Sequence, residues 1–338
     1  MPSRRTRQAS PAAHPGPSAA GALGAVPGPG ASRRALVRGS LAGAAAVVAG
    51  AQSSAVAHGT LRRGAGTGLR WFGVNSWELS FDGRTVLIDP WLTRFSTRGP
   101  DGRFDPATPL SVDRATIGRN LGAADLVLVT HGHYDHMGDV PHVMERFPGA
   151  RVVATQTHAH LLTAMGAPAD RIIWAHGGEY LDLDGFTVQV LPSLHSLSTG
   201  YRYFAPGTLT APPRRVHTVA DLVEGGTLAY LVTTGSGLRV LNIGTANLIE
   251  RELRGLRPDV AIVAVPAGRH THRYLERLLD ALGAPPLVVP THHDAMDTPL
   301  DRPVRADADA LRSFRDTVHR VNPRATVVEP RYLEAVTL

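Results

Sequence analysis

From residue 68 onward, short apolar runs alternate with segments of helical period. Residues 69–72, 77–81 and 85–88 read as strands, the last two joined by an Asp82-Gly83 turn. Residues 125–130 (Asp-Leu-Val-Leu-Val-Thr) are apolar on consecutive positions, as a strand buried on both faces requires. Further strands are predicted at 152–154, 172–175, 186–191, 228–233, 238–243, 260–265, 287–289 and 326–328. Helical spacing covers 140–147, 157–165, 248–254, 274–282 and 306–319. Pro148-Gly149 closes the first of these helices, and Gly255 suits the C-cap of the third. Each half of 68–338 gives strands followed by strand–helix units, which suits an α/β chain with two sheets face to face and helices outside. No linker interrupts 68–338, so residues 58–338 are expected to form one domain.

The first 57 residues break this pattern. Residues 1–31 are rich in Pro, Ala, Gly and Ser and are expected to remain a disordered leader. Arg33-Arg34 and Arg38 then precede an apolar stretch at 41–51, and Ala55-Val56-Ala57 closes it. A basic region, a short apolar region and an A-x-A site predict a cleavable export signal. The paired arginines resemble a twin-arginine (Tat) signal, which would make the Tat translocase a transient partner. The chain is therefore expected to be secreted, with cleavage near Ala57. The apolar run is shorter than the ~20 residues that span a bilayer, which argues against a stable membrane anchor.

Composition changes the picture in two ways. The chain has 338 residues and neither cysteine nor lysine, which excludes disulfides, thiolate ligands, a Cys nucleophile and a Lys Schiff base. The net charge of +6 suggests nucleic acid at first sight. However, six of the 35 basic residues (Arg4, Arg5, Arg7, Arg33, Arg34 and Arg38) lie in the leader, which has no acidic residue. The remaining 29 face 29 acidic residues, so the body is neutral and lacks the basic footprint of a nucleic-acid binder.

The candidate chemistry sits directly after the strand at 125–130. His131-Gly132-His133-Tyr134-Asp135-His136 places three imidazoles and a carboxylate in six residues. Nitrogen and oxygen donors of this kind suit zinc, and they leave manganese and iron open. In an extended or tightly turned loop His131 and His133 point the same way, while Asp135 and His136 face a second position nearby. A solvated polar loop is the plain alternative, but ordinary packing does not call for such a density of ligand types.

The segment resembles the HxHxDH signature of the metallo-β-lactamase superfamily. Leu87-Ile88-Asp89-Pro90, Leu191-Pro192-Ser193-Leu194-His195 and Pro290-Thr291-His292 resemble that family's later motifs, in the right order. The resemblance implies a four-layer αββα sandwich. It also implies one metal on His131, His133 and His195, and a second on Asp135, His136 and His292. Asp89 would orient a ligand from behind, or else cap the turn before Pro90. The other histidines, including His270, His272, His293, His158, His160 and His217, carry less weight.

The chain departs from the family pattern once. Where a Gly-Asp normally supplies a carboxylate between the metals, this sequence has Gly244-Thr245-Ala246-Asn247. A hydroxyl is not an anionic ligand, so one tight zinc and a weak or absent second are expected. Asn247 is expected to cap the following helix rather than offer its carbonyl oxygen. The resemblance implies a hydrolase that attacks an ester, lactone or phosphodiester with metal-activated water, with Asp135 orienting that water. The chain looks closest to the lactonase and phosphodiesterase-like branch. True β-lactamases match less well, because their second half often carries a Cys ligand. The substrate is expected to be a small or lipid-like molecule. The connection 196–226 brings Tyr201, Tyr203 and Phe204, which either wall the pocket or pack the loop down. The rival reading is a metal- or ligand-binding protein whose catalysis is impaired by Thr245.

Overall fold

The computed structural model describes residues 66–266 and 270–338. The export-signal reading of 1–57 lies outside the described residues. No helix among them is long and apolar enough to cross a membrane.

The first sheet begins as a meander of β1 (Gly68–Trp71), β2 (Trp77–Phe81) and β3 (Arg84–Ile88). Asp82 and Gly83 both take positive φ, the two-residue turn that Asp-Gly favours, and Phe81 pairs with Arg84 across it. Parallel crossovers follow through α1 (Arg114–Asn120), β4 (Leu126–Leu128), α2 (Tyr134–Met137), α3 (Val140–Arg146), β5 (Arg151–Ala154), α4 (Gln156–Ala164) and β6 (Ile172–Trp174). The second sheet repeats the scheme. An antiparallel meander of β7 (Tyr180–Leu183), β8 (Phe186–Ser193), β9 (Thr227–Thr233) and β10 (Arg239–Ile243) comes first. Parallel strands β11 (Val260–Ala264), β12 (Leu287–Thr291) and β13 (Thr326–Val327) follow, connected by α5 (Glu250–Leu253), α6 (Tyr274–Ala281) and α7 (Ala308–Val321). The closing strand β14 (Ala335–Thr337) returns to pair with β1. The strand orders are β14-β1-β2-β3-β4-β5-β6 and β13-β12-β11-β10-β9-β8-β7.

The expected four-layer αββα sandwich is the fold observed. Alternation along each strand builds its layers. Val260 and Ile262 of β11 join the core between the sheets, whereas Ala261 and Val263 face α6 and α7 with Leu278 and Phe314. Because both faces are covered, these strands read as unbroken apolar runs. Four elements escaped the sequence reading. Helix α1 buries only Ile117 and shows too little apolar period, although Asp113 caps it through the Thr116 amide. Strand β7 is half exposed, and β14 is a three-residue edge strand. Helix α2 lies inside the expected ligand loop. Helix α7 starts at Ala308 rather than 306, because Asp307 accepts from the Asp309 and Ala310 amides as its cap. Gly235-Ser236-Gly237 forms the expected turn, with the Gly237 amide donating to Thr234 O.

One buried clamp closes the sandwich at the edge where strands β3, β4, β8, β10, β11 and β12 all end. Arg94 Nη2 donates to Asp294 Oδ2 at 2.6 Å, with both side chains fully enclosed. Arg94 also donates to the carbonyls of Thr298 (2.5 Å) and Phe72 (3.3 Å). Tyr332 Oη and the Val74 amide donate to the Asp294 carboxylate. The clamp fastens the segment after His292 onto the start of the first sheet. Arg94→Met strands an unpaired buried carboxylate and should cost about 3–5 kcal/mol in denaturant unfolding. The double variant Arg94→Met/Asp294→Leu should recover most of that. A single variant within about 1 kcal/mol of the parent would show that the pair does not hold the segment.

Candidate metal centre

Six side chains converge at this edge, on segments that follow the C-terminal ends of β4, β8 and β12. His131 and His133 follow β4, Asp135 and His136 belong to α2, His195 follows β8 and His292 follows β12. One ligand-type atom from each of His131, His133 and His195 lies within 4.8 Å of the others, and so do those of Asp135, His136 and His292. The ring centroids of His131, His133 and His195 are 4.6–4.8 Å apart. Asp135 Oδ2 lies 3.2 Å from His136 Nε2 and 3.4 Å from His292 Nε2. The segment 131–136 is not wholly a loop. His133 is extended at the N-cap, and one turn of α2 then swings Asp135 and His136 towards the second group. Gly132 makes this possible, since a Cβ there would overlap the Val223 carbonyl, and its amide donates to Glu224 O at 2.9 Å.

The outer nitrogen of four imidazoles has a partner. Asp89 is fully buried and accepts from Asn75 Nδ2 (2.7 Å), the Thr130 amide (2.7 Å), Thr130 Oγ1 (2.5 Å) and His136 Nδ1 (2.6 Å). Thr130 Oγ1, having given its proton to Asp89, accepts from His131 Nδ1 at 3.1 Å. His195 Nδ1 faces Ser196 O at 2.8 Å, and His133 Nε2 faces Phe204 O at 3.1 Å. These contacts leave the inward nitrogens of His131, His195 and His136 as Nε2 and that of His133 as Nδ1. Tautomers held in this way are what metal-binding histidines require.

The electrostatics agree with that role. Burial lowers His131 well below its ordinary value and lowers His133 to about 3, and the neighbouring imidazoles add to both shifts. His195 is lowered chiefly by burial as well. All three are neutral near pH 7 and carry the lone pair a metal takes. Burial would also depress His136, but the carboxylates of Asp135 and Asp89 outweigh it and push it up to about 10. Burial works against ionisation of Asp135, yet the charges and hydrogen bonds of His136 and His292 hold it well below the carboxylate range. A protonated His136 balances the neighbouring carboxylates, so a cation taken up by this group displaces that proton.

Thr245 lies at this cavity, where its Oγ1 donates to Leu194 O at 2.8 Å. Asn247 Nδ2 donates to His195 O at 3.0 Å. Asn247 is not the helix cap expected of it. Its Oδ1 is taken by the Leu248 amide, α5 begins only at Glu250, and Ile249 stands at the cap. Both residues brace the backbone on either side of the His195 α-carbon. Phe204 lines the cavity, and Tyr203 packs edge-on to His195 at 6.1 Å between centroids. Tyr201 is 71% exposed and does not line the cavity. His293 stacks on Trp71, His158 donates to Glu224 O, and His270 lines the cavity outside both ligand groups. Sequence reasoning missed Asn75, Thr130 and Asn242. The one available signal was Asn242, a polar residue inside the apolar run of β10. Phe104 and Met296 were missed as well, since nothing local distinguishes them.

A two-sheet sandwich with paired His/Asp clusters at the strand ends defines a metallo-hydrolase-type protein. A model described as the β-lactamase superfamily domain matches residues 68–292, and the chain belongs to that family, the metallo-β-lactamase superfamily. A UPF0173 metal-dependent hydrolase from Hyperthermus butylicus is 26% identical over 269 residues, covering 78% of this chain and 96% of the relative. A relative of the same name from Sulfurisphaera tokodaii is 32% identical over 129 residues, which is 38% of this chain and half of that protein. Among solved structures, the metallo hydrolase Igni18 from Ignicoccus hospitalis covers 81% of this chain and 99% of its own, at TM-score 0.52 and 24% identity. CmlA, a diiron β-hydroxylase from Streptomyces venezuelae, shares the fold at TM-score 0.50 and 16% identity over 81% of this chain and 54% of its own.

Asp89→Asn keeps the shape of the hub and removes its charge. It should weaken metal binding about 10–100-fold in competition with a coloured chelator. An affinity equal to the parent's would assign Asp89 to the fold alone.

Proposed function

We propose that this protein is an exported, zinc-dependent hydrolase that directs water at an ester, lactone or phosphodiester. The observation that carries the reading is the pair of ligand groups, His131/His133/His195 and Asp135/His136/His292, on the floor of one open cavity. The donor set fits zinc, because the inward imidazole nitrogens are neutral donors in a tri-His group. Zinc bound there would lower the pKa of its water from about 15.7 to about 7 and polarise the substrate oxygen. The chain's own residues do the rest. Asp135, anionic and aimed at the cavity, orients the water and receives its proton. Asp89 and Thr130 fix the imidazoles that hold the site in place. The Leu194–Ser196 backbone, braced by Thr245 and Asn247, holds His195 in register.

The threonine at 245 sets the stoichiometry. Asp135 is the only carboxylate among the six residues, so two divalent cations would be under-neutralised. The tri-His group keeps one zinc, and the Asp135 group holds a second weakly. After dialysis the protein should retain one equivalent of zinc by elemental analysis, and Thr245→Asp should retain nearer two. Two equivalents surviving dialysis in the parent would overturn this stoichiometry.

Hydrolysis itself is tested by a panel of ester, lactone and phosphodiester substrates with added zinc or manganese. His131→Ala should lose both tight zinc and turnover. Zinc-replete parent protein that turns over none of the panel would favour a binding protein instead. Export rests on the Arg33-Arg34 pattern and the A-x-A site. N-terminal sequencing of secreted material should begin near His58, and an intact leader there would refute the signal.

A further inference from the structure

The cavity above the ligand groups holds about 310 Å³, near the lower end for small-molecule sites. Its floor is polar, and apolar side chains form much of its wall. Phe104, Phe204, Leu197, Val265, Pro266 and Met296 line it. Among the described lining residues there is no arginine, and the chain has no lysine. His270 is the one described lining side chain outside both ligand groups that can carry a positive charge. The two phenylalanines arrive from separate loops. Phe104 closes the small bridge Arg98↔Phe104 before α1, and Phe204 lies in the connection between β8 and β9. Their rings meet edge-to-face at 5.1 Å. Phe204 also packs edge-on to His133 at 5.1 Å, directly beside the tri-His group. Both rings remain about two-fifths exposed at the mouth, which is apolar area available for a ligand to cover.

Resting on the hydrolase reading, we propose that the substrate carries an uncharged alkyl or aryl group beside its scissile bond. That group lies against Phe104 and Phe204, with Leu197 and Met296 completing the slot. For a carboxylic ester or lactone, the water oxygen bonds to the carbonyl carbon and the bond from that carbon to the alkoxy oxygen breaks. The proton of the water ends on the departing oxygen. An ester yields an alcohol and an apolar carboxylate, a lactone a single hydroxycarboxylate, and the acid's own proton leaves to solvent.

Binding separates this inference from the reading beneath it. Zinc-loaded protein is titrated calorimetrically with acetohydroxamate, octanohydroxamate and the hydroxamate of succinic acid. The head group is the same in all three, and only the tail differs. Octanohydroxamate should bind at least about tenfold tighter than acetohydroxamate, given roughly 25 cal/mol per Å² of apolar surface covered. Phe204→Ala keeps the backbone carbonyl that receives His133. It and Phe104→Ala should each shrink that ratio severalfold while leaving acetohydroxamate nearly unchanged. Octanohydroxamate and acetohydroxamate binding within threefold of each other, or the succinic probe matching the octanoic one, overturns the substrate class alone. If zinc-loaded protein binds none of the probes, the metal-site reading falls, and this inference with it.

Discussion

The Asp89 carboxylate is the point on which both the sandwich and the site depend. A buried charge is costly unless it is paired and hydrogen-bonded, and Asp89 has four donors. These donors come from three parts of the machinery. Asn75 belongs to the turn between β1 and β2, Thr130 to the end of β4, and His136 to the ligand helix. Asn75 also exchanges amide hydrogen bonds with Asn242 of β10 at 3.0 Å, so the hub reaches the opposite sheet. A polar network inside an apolar sandwich is tolerated only when every member is satisfied, and satisfaction here imposes one geometry. The same contacts that discharge the burial cost of Asp89 set the tautomers of His131 and His136.

Close packing between the sheets leaves little room for alternatives. Gly244 faces Asn75 so closely that a Cβ would overlap the amide. Val74, a β-branched residue, sits at φ +49, where only strong local anchoring holds such a side chain. Its carbonyl accepts from Trp71 Nε1, Thr291 Oγ1 and the His292 amide, and its own amide donates to Asp294. Asp89 and His292 share positive φ. Strain collects where strand ends must turn sharply to present ligands, and the surrounding hydrogen bonds over-determine it. The site is therefore preorganised by the junction of the two sheets rather than by any single loop.

At Thr245 that preorganisation meets a change in charge. The hydroxyl does not stand idle where a carboxylate is expected, because it is committed to the Leu194 carbonyl, one residue before His195. Together with Asn247, it exchanges a direct anionic role for bracing of the tri-His group. The consequence is an asymmetric centre. One group is complete in neutral donors, and the other depends on Asp135 alone for negative charge.

The strands at 77–81 and 85–88, the helix at 274–282 and the HxHxDH run were legible because each rests on local information: period, turn residues, or ligand types close together in the chain. The single histidines at 195 and 292 became candidates through their order and their resemblance to known motifs. Helix α2 was not legible, since one turn of helix leaves no period. Nor was the role of Asn247, which follows from where the His195 carbonyl falls rather than from its neighbours in sequence. The sequence by itself determined most of the elements, the layering and the ligand types, because these depend on patterns a few residues long. Only the tertiary structure decided the Asp89 hub, the Arg94–Asp294 clamp and the aromatic mouth of Phe104 and Phe204. Each joins residues far apart in the chain, and their meeting is set by how the two sheets pack.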